Sequence, residues 1–214
     1  STLAQILSDL GNDVSGYDDA KDYKFTQKGL EERNISIYYD GEHDIDKDTI
    51  VTYSVAFSES HPEIQRMKKL GLKIKKYNEI VGDIVDMFET IGVSGTHGKT
   101  TTSSLIRHIL EDSVGCNYFI GAGDGYADKK NKYFVLESDE FNRHFLAYHP
   151  AYSIITNIER EHLEIYKDID RDAELIGTIS YELMTNISMR VKRVYIKNGT
   201  VINYHDYLGE INES

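Results

Sequence analysis

The stretch that decides the fold is FETIGVSGTHGKTTTSSLIRHIL, residues 88–110. A short apolar run leads into a glycine-rich turn and then into apolar positions at helical spacing, which predicts a strand, a loop and a helix over residues 103–110. Glycines let a backbone approach phosphate closely, and the N-terminus of a helix points N–H groups at it. We therefore expect a phosphate-binding loop that consists of Gly95, Thr96, His97, Gly98, Lys99, Thr100 and Thr101.

Two side chains of this loop carry the expected chemistry. Lys99 is expected to contact the β- and γ-phosphates of a nucleotide, and the hydroxyl of Thr100 to hold Mg²⁺. The match to the common pattern G-x-x-x-x-G-K-S/T is imperfect, because Val93 stands at the outer glycine position and Gly92 comes one residue earlier. The loop therefore belongs to a different subclass of this pattern or follows a somewhat different path. The alternative is a glycine-rich turn with a solvated lysine.

Polar side chains follow two other apolar runs, in VLESDE (residues 135–140) and TNIEREH (residues 156–162). Ligands of open parallel sheets bind at the carboxyl ends of the strands. There Glu137 is expected to hold a divalent cation, and His162 to be a second-metal ligand or a general base. The alternatives are a solvated acidic loop and a surface or capping histidine. The same segments contain further polar candidates, namely Asp139, Glu140, Arg143, His144, Asn157, Glu159 and Glu161.

Helices and strands alternate in the first part of the chain as well, which predicts a parallel sheet there. Helices are expected at residues 1–10, at 25–32 and from Pro62 to near Gly71, and strands at residues 13–18, 35–39 and 72–77. Residues 49–57, TIVTYSVAF, are rich in β-branched and aromatic side chains and are expected to form a buried strand. Near the end of the chain, residues 190–207 predict two antiparallel strands around an Asn198–Gly199 turn.

The composition excludes several classes of protein. The 214 residues include 24 Lys and Arg against 36 Asp and Glu, so the net charge of −12 makes a nucleic-acid partner unfavourable. No apolar run approaches the ~18 residues needed for membrane insertion. With one cysteine and no recognisable secretory leader, a cytoplasmic location is expected.

The combination of GTHGKTTT, VLESDEFNRHFLAYHP and IITNIEREHLEIYKDI closely resembles the Mur ligase family. The segments LAQILSDLGNDVSGYD and SHPEI resemble the uridine-nucleotide domain of that family. The resemblance covers residues 1 to about 170 well and the remainder poorly. It implies an α/β fold, with a Rossmann-like N-terminal domain that binds the UDP substrate at residues 1–87 and a P-loop-containing central ATP-binding domain at residues 88–214.

Within the family, the resemblance is strongest to the branch that joins L-alanine to UDP-N-acetylmuramate in peptidoglycan precursor synthesis. It implies that ATP phosphorylates the lactyl carboxylate, that the amine of L-alanine attacks the acyl phosphate, and that an amide, ADP and phosphate result. By resemblance, Lys99 binds phosphate, Thr100 binds the first Mg²⁺, and Glu137 and His162 hold the second. Lys99, Glu137 and His162 are thus the catalytic candidates, with ATP and Mg²⁺ as cofactors. Asn157 lies in the matching strand-end motif.

The chain also departs from the family pattern. The glycine-rich loop that precedes the first helix, the end of the central domain and the third, C-terminal domain have no counterpart in these residues. We therefore expect an incomplete chain, and we expect these 214 residues alone not to catalyse ligation. Three alternatives stay open: a sister ligase that joins a preformed murein peptide to UDP-N-acetylmuramate in recycling, a P-loop phosphotransferase, and a noncatalytic nucleotide-binding module.

Overall fold

Helices and parallel strands alternate along most of the chain. The computed structural model describes residues 1–54, 57–95, 97–121, 123–138 and 148–156, together with the backbone of residues 194–195 and 201–202. These ranges contain one five-stranded sheet and three two-stranded sheets. The predicted α/β class is therefore confirmed.

The first part of the chain forms two small parallel sheets with helices between their strands. Strand β1 pairs with β2, and β3 pairs with β4, both in parallel. The elements are α1 (Thr2–Asp9), β1 (Ser15–Tyr17), a 3₁₀ turn (Phe25–Gln27) that continues into α2 (Lys28–Glu31), β2 (Ser36–Tyr38), β3 (Ile50–Val51), α3 (Pro62–Lys69), β4 (Lys73–Ile74) and α4 (Tyr77–Val85).

One prediction for this part is wrong. Residues 49–57 were expected to form a buried strand, but among those described only Ile50–Val51 pair, and the Ile50 side chain is 50% exposed. In the described part of the chain, β3 has a partner only in β4. High β-propensity describes side chains that suit a half-buried sheet surface, and it does not supply the neighbouring layer that would bury them.

The second part of the chain is built on the five-stranded sheet. Its strands are β5 (Glu89–Ser94), β6 (Cys116–Ile120), β7 (Asp124–Tyr126), β8 (Tyr133–Glu137) and β9 (Tyr152–Ile155), in the order β7-β6-β8-β5-β9. All pair in parallel except β7, which pairs with β6 in an antiparallel hairpin. Helix α5 (Lys99–Glu111) begins four residues before the predicted start of that helix. Strands β6 and β7 and helix α4 were not predicted. Near the end of the chain, β10 (Val194–Tyr195) and β11 (Val201–Ile202) pair antiparallel, as predicted.

Helices cover both faces of the five-stranded sheet. One face packs Phe134 and Leu136 of β8 against α1 and α4, in a core to which Leu3, Ile6 and Val81 belong. The other face packs Val135 of β8 with residues of β6 against Ile106 and Leu110 of α5. Because successive side chains of a strand point to opposite faces, β8 contributes to both cores. The sheet is therefore held between α1 and α4 on one side and α5 on the other.

The thiol of Cys116 gives a direct test of the α5 face. Cys116 is 1% exposed, and burial raises the pKa of its thiol from 9.0 to about 11. At pH 8 this lowers the thiolate fraction by about 100-fold, and the thiolate is the reactive species. We expect iodoacetamide to label native Cys116 at least about 100-fold more slowly than the urea-unfolded chain, as measured by mass spectrometry. Equal labelling rates at pH 8 would contradict this packing.

The same raised pKa makes the stability of the fold depend on pH. Since the folded state favours the neutral thiol, the contribution of Cys116 to the free energy of unfolding is present below pH 9 and is lost as the pH rises through about 11.

Candidate functional site

The predicted phosphate-binding loop connects the C-terminal end of β5 to α5. Gly98 is the N-cap of α5 and has φ +80°, a left-handed conformation that glycine adopts without strain. Gly95, with φ +128°, likewise lies in the region that favours glycine. The backbone N–H of Thr102 donates to the Gly98 carbonyl at 2.9 Å and closes the first turn of the helix. The glycines thus turn the chain directly from β5 into a helix of 13 residues.

The Lys99 side chain folds back over this loop. Its ammonium Nζ donates to the backbone carbonyl of Gly95 at 2.6 Å. Lys99 is also the first residue of α5, where the N-terminal end of the helix dipole adds partial positive charge. A positive side chain and a positive helix end are therefore held at one place, which suits an anionic ligand.

Thr100 and Glu137 contact each other at the same edge of the sheet. The Thr100 hydroxyl donates to Glu137 Oε1 at 2.8 Å, although the two residues lie 37 positions apart in the chain. Strand register explains the contact, because β8 pairs with β5 and sets Glu137 opposite Val93. Glu137 therefore lies level with the last residues of the strand that leads into the loop.

The second oxygen of Glu137 is held by a backbone amide. The N–H of Gly121, the residue after β6, donates to Glu137 Oε2 at 2.8 Å. A hydrogen bond to an ionised acceptor is stronger than one between neutral groups, so this amide fixes the orientation of the carboxylate. Gly121 was not among the site residues predicted from the sequence. The glycines in GAGDGY, residues 121–126, were the signal that could have indicated a close backbone approach.

Strand β9 borders β5 on its other side and brings Thr156 to the loop. The Thr156 N–H donates to the Ser94 carbonyl at 2.9 Å. Its hydroxyl lies 3.2 Å from the Ser94 carbonyl oxygen and 2.5 Å from that of His97, and either oxygen can accept its proton. His97 therefore takes part in the loop through its backbone. Thr156, which was not among the predicted site residues, fixes the end of β9 to the loop.

Several predicted site residues lie outside the described residues. Thr96 of the phosphate-binding loop is one of them, and His162, a metal and catalytic candidate, is another. The other polar candidates outside the described residues are Asp139, Glu140, Arg143, His144, Asn157, Glu159 and Glu161. Among the residues that the structure does describe, no group of three or more His, Cys, Asp or Glu side chains could hold a metal ion. The Thr100 hydroxyl and the Glu137 carboxylate are two described oxygen-bearing side chains at this edge of the sheet that could act as metal ligands.

A second group of polar and aromatic side chains gathers around the ends of β1 and β2. The Tyr38 and His43 rings stack with their centroids 4.1 Å apart and their planes 1° apart. His43 Nε2 lies 3.6 Å from Glu63 Oε1, and both side chains are 9% exposed. Nearby, His61 Nε2 lies 3.1 Å from Asp19 Oδ2. The α3 N-terminus is thereby joined to the carboxyl end of the first small sheet.

Sequence profiles of known families match most of the chain, up to residue 190. The profile of the Mur ligase family, catalytic domain, matches residues 1–89. The profile of the Mur ligase middle domain matches residues 93–190. The chain belongs to the Mur ligase family. The expectation drawn from its three motifs is therefore confirmed.

Curated relatives place the chain within this family. The UDP-N-acetylmuramate–L-alanine ligase of Pediococcus pentosaceus is 43% identical over 169 residues, which are 79% of this chain and 38% of the relative. The enzyme of the same name from Ligilactobacillus salivarius is 40% identical over 187 residues, 87% of this chain and 42% of the relative. The chain thus spans about two fifths of the length of these Mur ligases.

Solved structures confirm the Mur ligase fold. The UDP-N-acetylmuramate:L-alanyl-gamma-D-glutamyl-meso-diaminopimelate ligase from Neisseria meningitides matches with a TM-score of 0.72 at 21% identity, over 100% of this chain and 71% of that one. A murein peptide ligase from Psychrobacter arcticus matches with a TM-score of 0.66 at 22% identity, over 87% of this chain and 44% of that one. Among the described residues of this Mur ligase chain, no helix is long and apolar enough to cross a membrane.

Proposed function

We propose that this Mur ligase chain carries the UDP-substrate-binding and ATP-binding parts of an enzyme that joins L-alanine to UDP-N-acetylmuramate. The observation that carries the proposal is the contact between Thr100, at the start of the phosphate-loop helix, and Glu137, at the end of the neighbouring strand. The names of the curated relatives support L-alanine as the amino acid.

The described side chains fit Mg²⁺ in their chemistry. Mg²⁺ prefers oxygen ligands and is usually held by one or two carboxylates together with phosphate oxygens. The hydroxyl of Thr100 would supply an oxygen to a first Mg²⁺, and the carboxylate of Glu137 would supply an oxygen to a second, for which we propose His162 as a further ligand. When bound, Mg²⁺ supplies positive charge against the phosphate oxygens and lowers the repulsion between two anions.

The protein's own groups would prepare phosphoryl transfer to the lactyl carboxylate. A carboxylate is a poor electrophile, so it needs a phosphate leaving group before an amine can displace its oxygen. Lys99 and the N-terminal end of α5 would hold the γ-phosphate and offset the charge that develops on it during transfer. Glu137 would be fixed by Gly121 so that its position does not change during the reaction. L-alanine would then attack the acyl phosphate, giving the amide and inorganic phosphate.

We propose that residues 1–87 bind the UDP substrate and that residues 88–214 bind ATP. The two family profiles meet between residues 89 and 93, which supports this division. The group around Tyr38 and His43, at the carboxyl edge of a parallel sheet, supports a nucleotide site in the first unit, because ligands of such sheets bind at that edge.

The decisive experiment uses the full-length gene product, ATP, Mg²⁺, UDP-N-acetylmuramate and one of two amines. We expect L-alanine to give an amide product by mass spectrometry, with ADP and phosphate released in equal amounts. A product formed only with the tripeptide L-alanyl-γ-D-glutamyl-diaminopimelate would assign the recycling reaction instead. A stable phosphorylated sugar without an amide would identify a phosphotransferase, and ATP binding without turnover a noncatalytic module. The 214-residue chain alone is expected to release no ADP in response to L-alanine.

A further inference from the structure

Helix α1 carries a polar stripe on a face that is otherwise buried. Thr2 is 5% exposed and Gln5 is 3% exposed, while Leu3 and Ile6 beside them belong to the hydrophobic core. A buried polar side chain lowers stability unless it finds a hydrogen-bond partner. The hydrogen-bond partners of Thr2 and Gln5 therefore indicate the role of this polar stripe.

Both side chains of the stripe bond to the turn between β6 and β7. The Thr2 hydroxyl accepts from the Gly123 N–H at 2.8 Å and lies 3.4 Å from the Gly121 carbonyl oxygen, to which it donates. Gln5 Nε2 donates to the Gly123 carbonyl at 3.1 Å. Three backbone groups of one short turn are thus bonded by side chains of a helix that lies about 120 residues earlier in the chain.

Close packing and an ion pair hold α1 against this hairpin. A Cβ on Gly125 would lie 2.7 Å from Thr2 Cγ2, so the helix approaches β7 at a distance that only glycine permits. Asp9 continues the stripe, with its Oδ2 accepting from the Ala127 N–H at 3.2 Å. The Arg33 guanidinium bonds both oxygens of Asp9, at 2.7 and 2.9 Å. The helix therefore cannot move away from the hairpin without breaking several bonds.

The same turn holds the carboxylate of the candidate metal site. Gly121 receives a hydrogen bond from Thr2 at its carbonyl and donates its own N–H to Glu137 Oε2 at 2.8 Å. The other oxygen of Glu137 accepts from the Thr100 hydroxyl at 2.8 Å. A continuous series of hydrogen bonds thus joins α1, the turn, Glu137 and Thr100.

We propose that Thr2, with Gln5 beside it, is a positioning residue that orients the Glu137 carboxylate through the Gly121–Gly123 turn. The proposal rests on the proposed function of Glu137 as a Mg²⁺ ligand. Mg²⁺ requires nearly ideal octahedral geometry, so a small rotation of one carboxylate lowers its affinity. Groups that orient a metal ligand commonly change metal affinity by about 10–100-fold when they are removed.

The first test needs neither metal nor nucleotide. In the Thr2→Val variant, which keeps the methyl contact and removes the hydroxyl, amide hydrogen exchange is followed by NMR. The Gly123 amide loses its acceptor directly. The Gly121 amide, whose acceptor is Glu137, is expected to exchange about tenfold faster because the turn that presents it is no longer held.

The matched control is Thr90→Val, since the Thr90 hydroxyl is also buried and donates to the Val85 carbonyl at 2.9 Å. It is expected to leave both amides protected. Unchanged protection of Gly121 in Thr2→Val would overturn the proposal.

The second test measures nucleotide binding by the full-length gene product as Mg²⁺ is added. Thr2→Val is expected to raise the Mg²⁺ concentration for half-maximal ATP binding by about tenfold, with ATP binding in EDTA unchanged. Thr2→Ser, which restores the hydroxyl, should lie within about twofold of the wild type, and Glu137→Gln gives the loss expected when the ligand itself is changed. Equal Mg²⁺ curves for Thr2→Val and wild type, or an equal loss in EDTA, would overturn the proposal. If the wild type itself shows no Mg²⁺-dependent ATP binding, the proposed function fails, while the exchange experiment still decides whether Thr2 holds the turn.

Discussion

Replacing Lys99 with methionine is expected to lower kcat for ATP-dependent ligation by about 10³-fold in the full-length gene product, with the fold retained. The ammonium donates to the Gly95 carbonyl within the loop, and Lys99 does not belong to the buried core, so the fold is expected to survive its replacement. A charge that acts on the transferring phosphate in a site with little water is worth ~3–4 kcal/mol in the transition state. Methionine keeps the length of the side chain and removes the charge.

The control for Lys99→Met is Lys28→Met. Lys28 has a side chain that is 75% exposed, and its ammonium lies 3.8 Å from Glu32, a surface pair that contributes little to stability. We expect this variant to keep full activity. Lys99→Arg should recover little, because the planar guanidinium differs in shape from the compact ammonium. Steady-state rates and circular dichroism spectra check these expectations, and a Lys99→Met rate within tenfold of the wild type would remove Lys99 from the proposed site.

Replacing Phe134 with alanine is expected to lower the free energy of unfolding by about 3–5 kcal/mol. Phe134, the second residue of β8, is 0% exposed, and its ring lies 5.8 Å from that of Phe88 at an interplanar angle of 10°. It packs in the core that α1 and α4 share with the sheet. Truncation removes a large apolar side chain and leaves a cavity that the surrounding helices and strands can fill only in part.

A matched control for Phe134→Ala is Phe25→Ala. Phe25 is 77% exposed, and the same truncation there should change the free energy of unfolding by less than about 0.5 kcal/mol. Urea unfolding followed by circular dichroism measures both variants. If Phe134→Ala costs less than about 1 kcal/mol, the core is not centred on β8 as described.

Sequence periodicity predicted the helices and strands whose buried residues recur at regular spacing along the chain. Leu3, Ile6 and Leu10 recur at helical spacing; Leu3 and Ile6 are buried in α1, and Leu10, the residue after the helix, is buried as well. The strand, loop and helix of residues 88–110 were predicted in the right order, because glycines and apolar runs mark those transitions directly. Only the start of α5 was misplaced. Gly98 precedes the helix as its N-cap in a left-handed conformation, and the threonines at positions 100–102 are weak helix formers, so their residue types did not indicate that the helix had already begun.

Strand β6 was missed for a physical reason. Asn117 is the second residue of β6 and is 0% exposed, and a polar residue at a buried position argues against a buried strand. Its Oδ1 accepts from the Asp128 N–H at 2.7 Å and from Asn131 Nδ2 at 3.0 Å. These partners lie beyond the next strand, so the compensation appears only once the chain has folded.

The candidate site was predictable in part. The residue types and strand ends indicated Lys99, Thr100 and Glu137, and two of these, Thr100 and Glu137, are in contact. Sequence spacing could not tell that β8 and β9 border β5 on opposite sides, since strand order depends on the packing of the whole sheet. Gly121 was not predicted either, because it contributes a backbone amide and not a side chain, and the glycines of residues 121–126 indicated at most a close backbone approach.

The register of the central ladder restricts how this sheet can change during evolution. Glu137 stands opposite Val93, and it lies two positions after Val135, which packs on the α5 side. Gaining or losing a single residue within β8 would carry the carboxylate to the side of α1 and α4, away from Thr100. Substitutions within β8 that keep side-chain volume leave the Glu137 carboxylate on the α5 side of the sheet. The number of residues in β8 is therefore under tighter constraint than the identity of those residues. The turn at residues 128–132 lies before the ladder and can lengthen without that consequence.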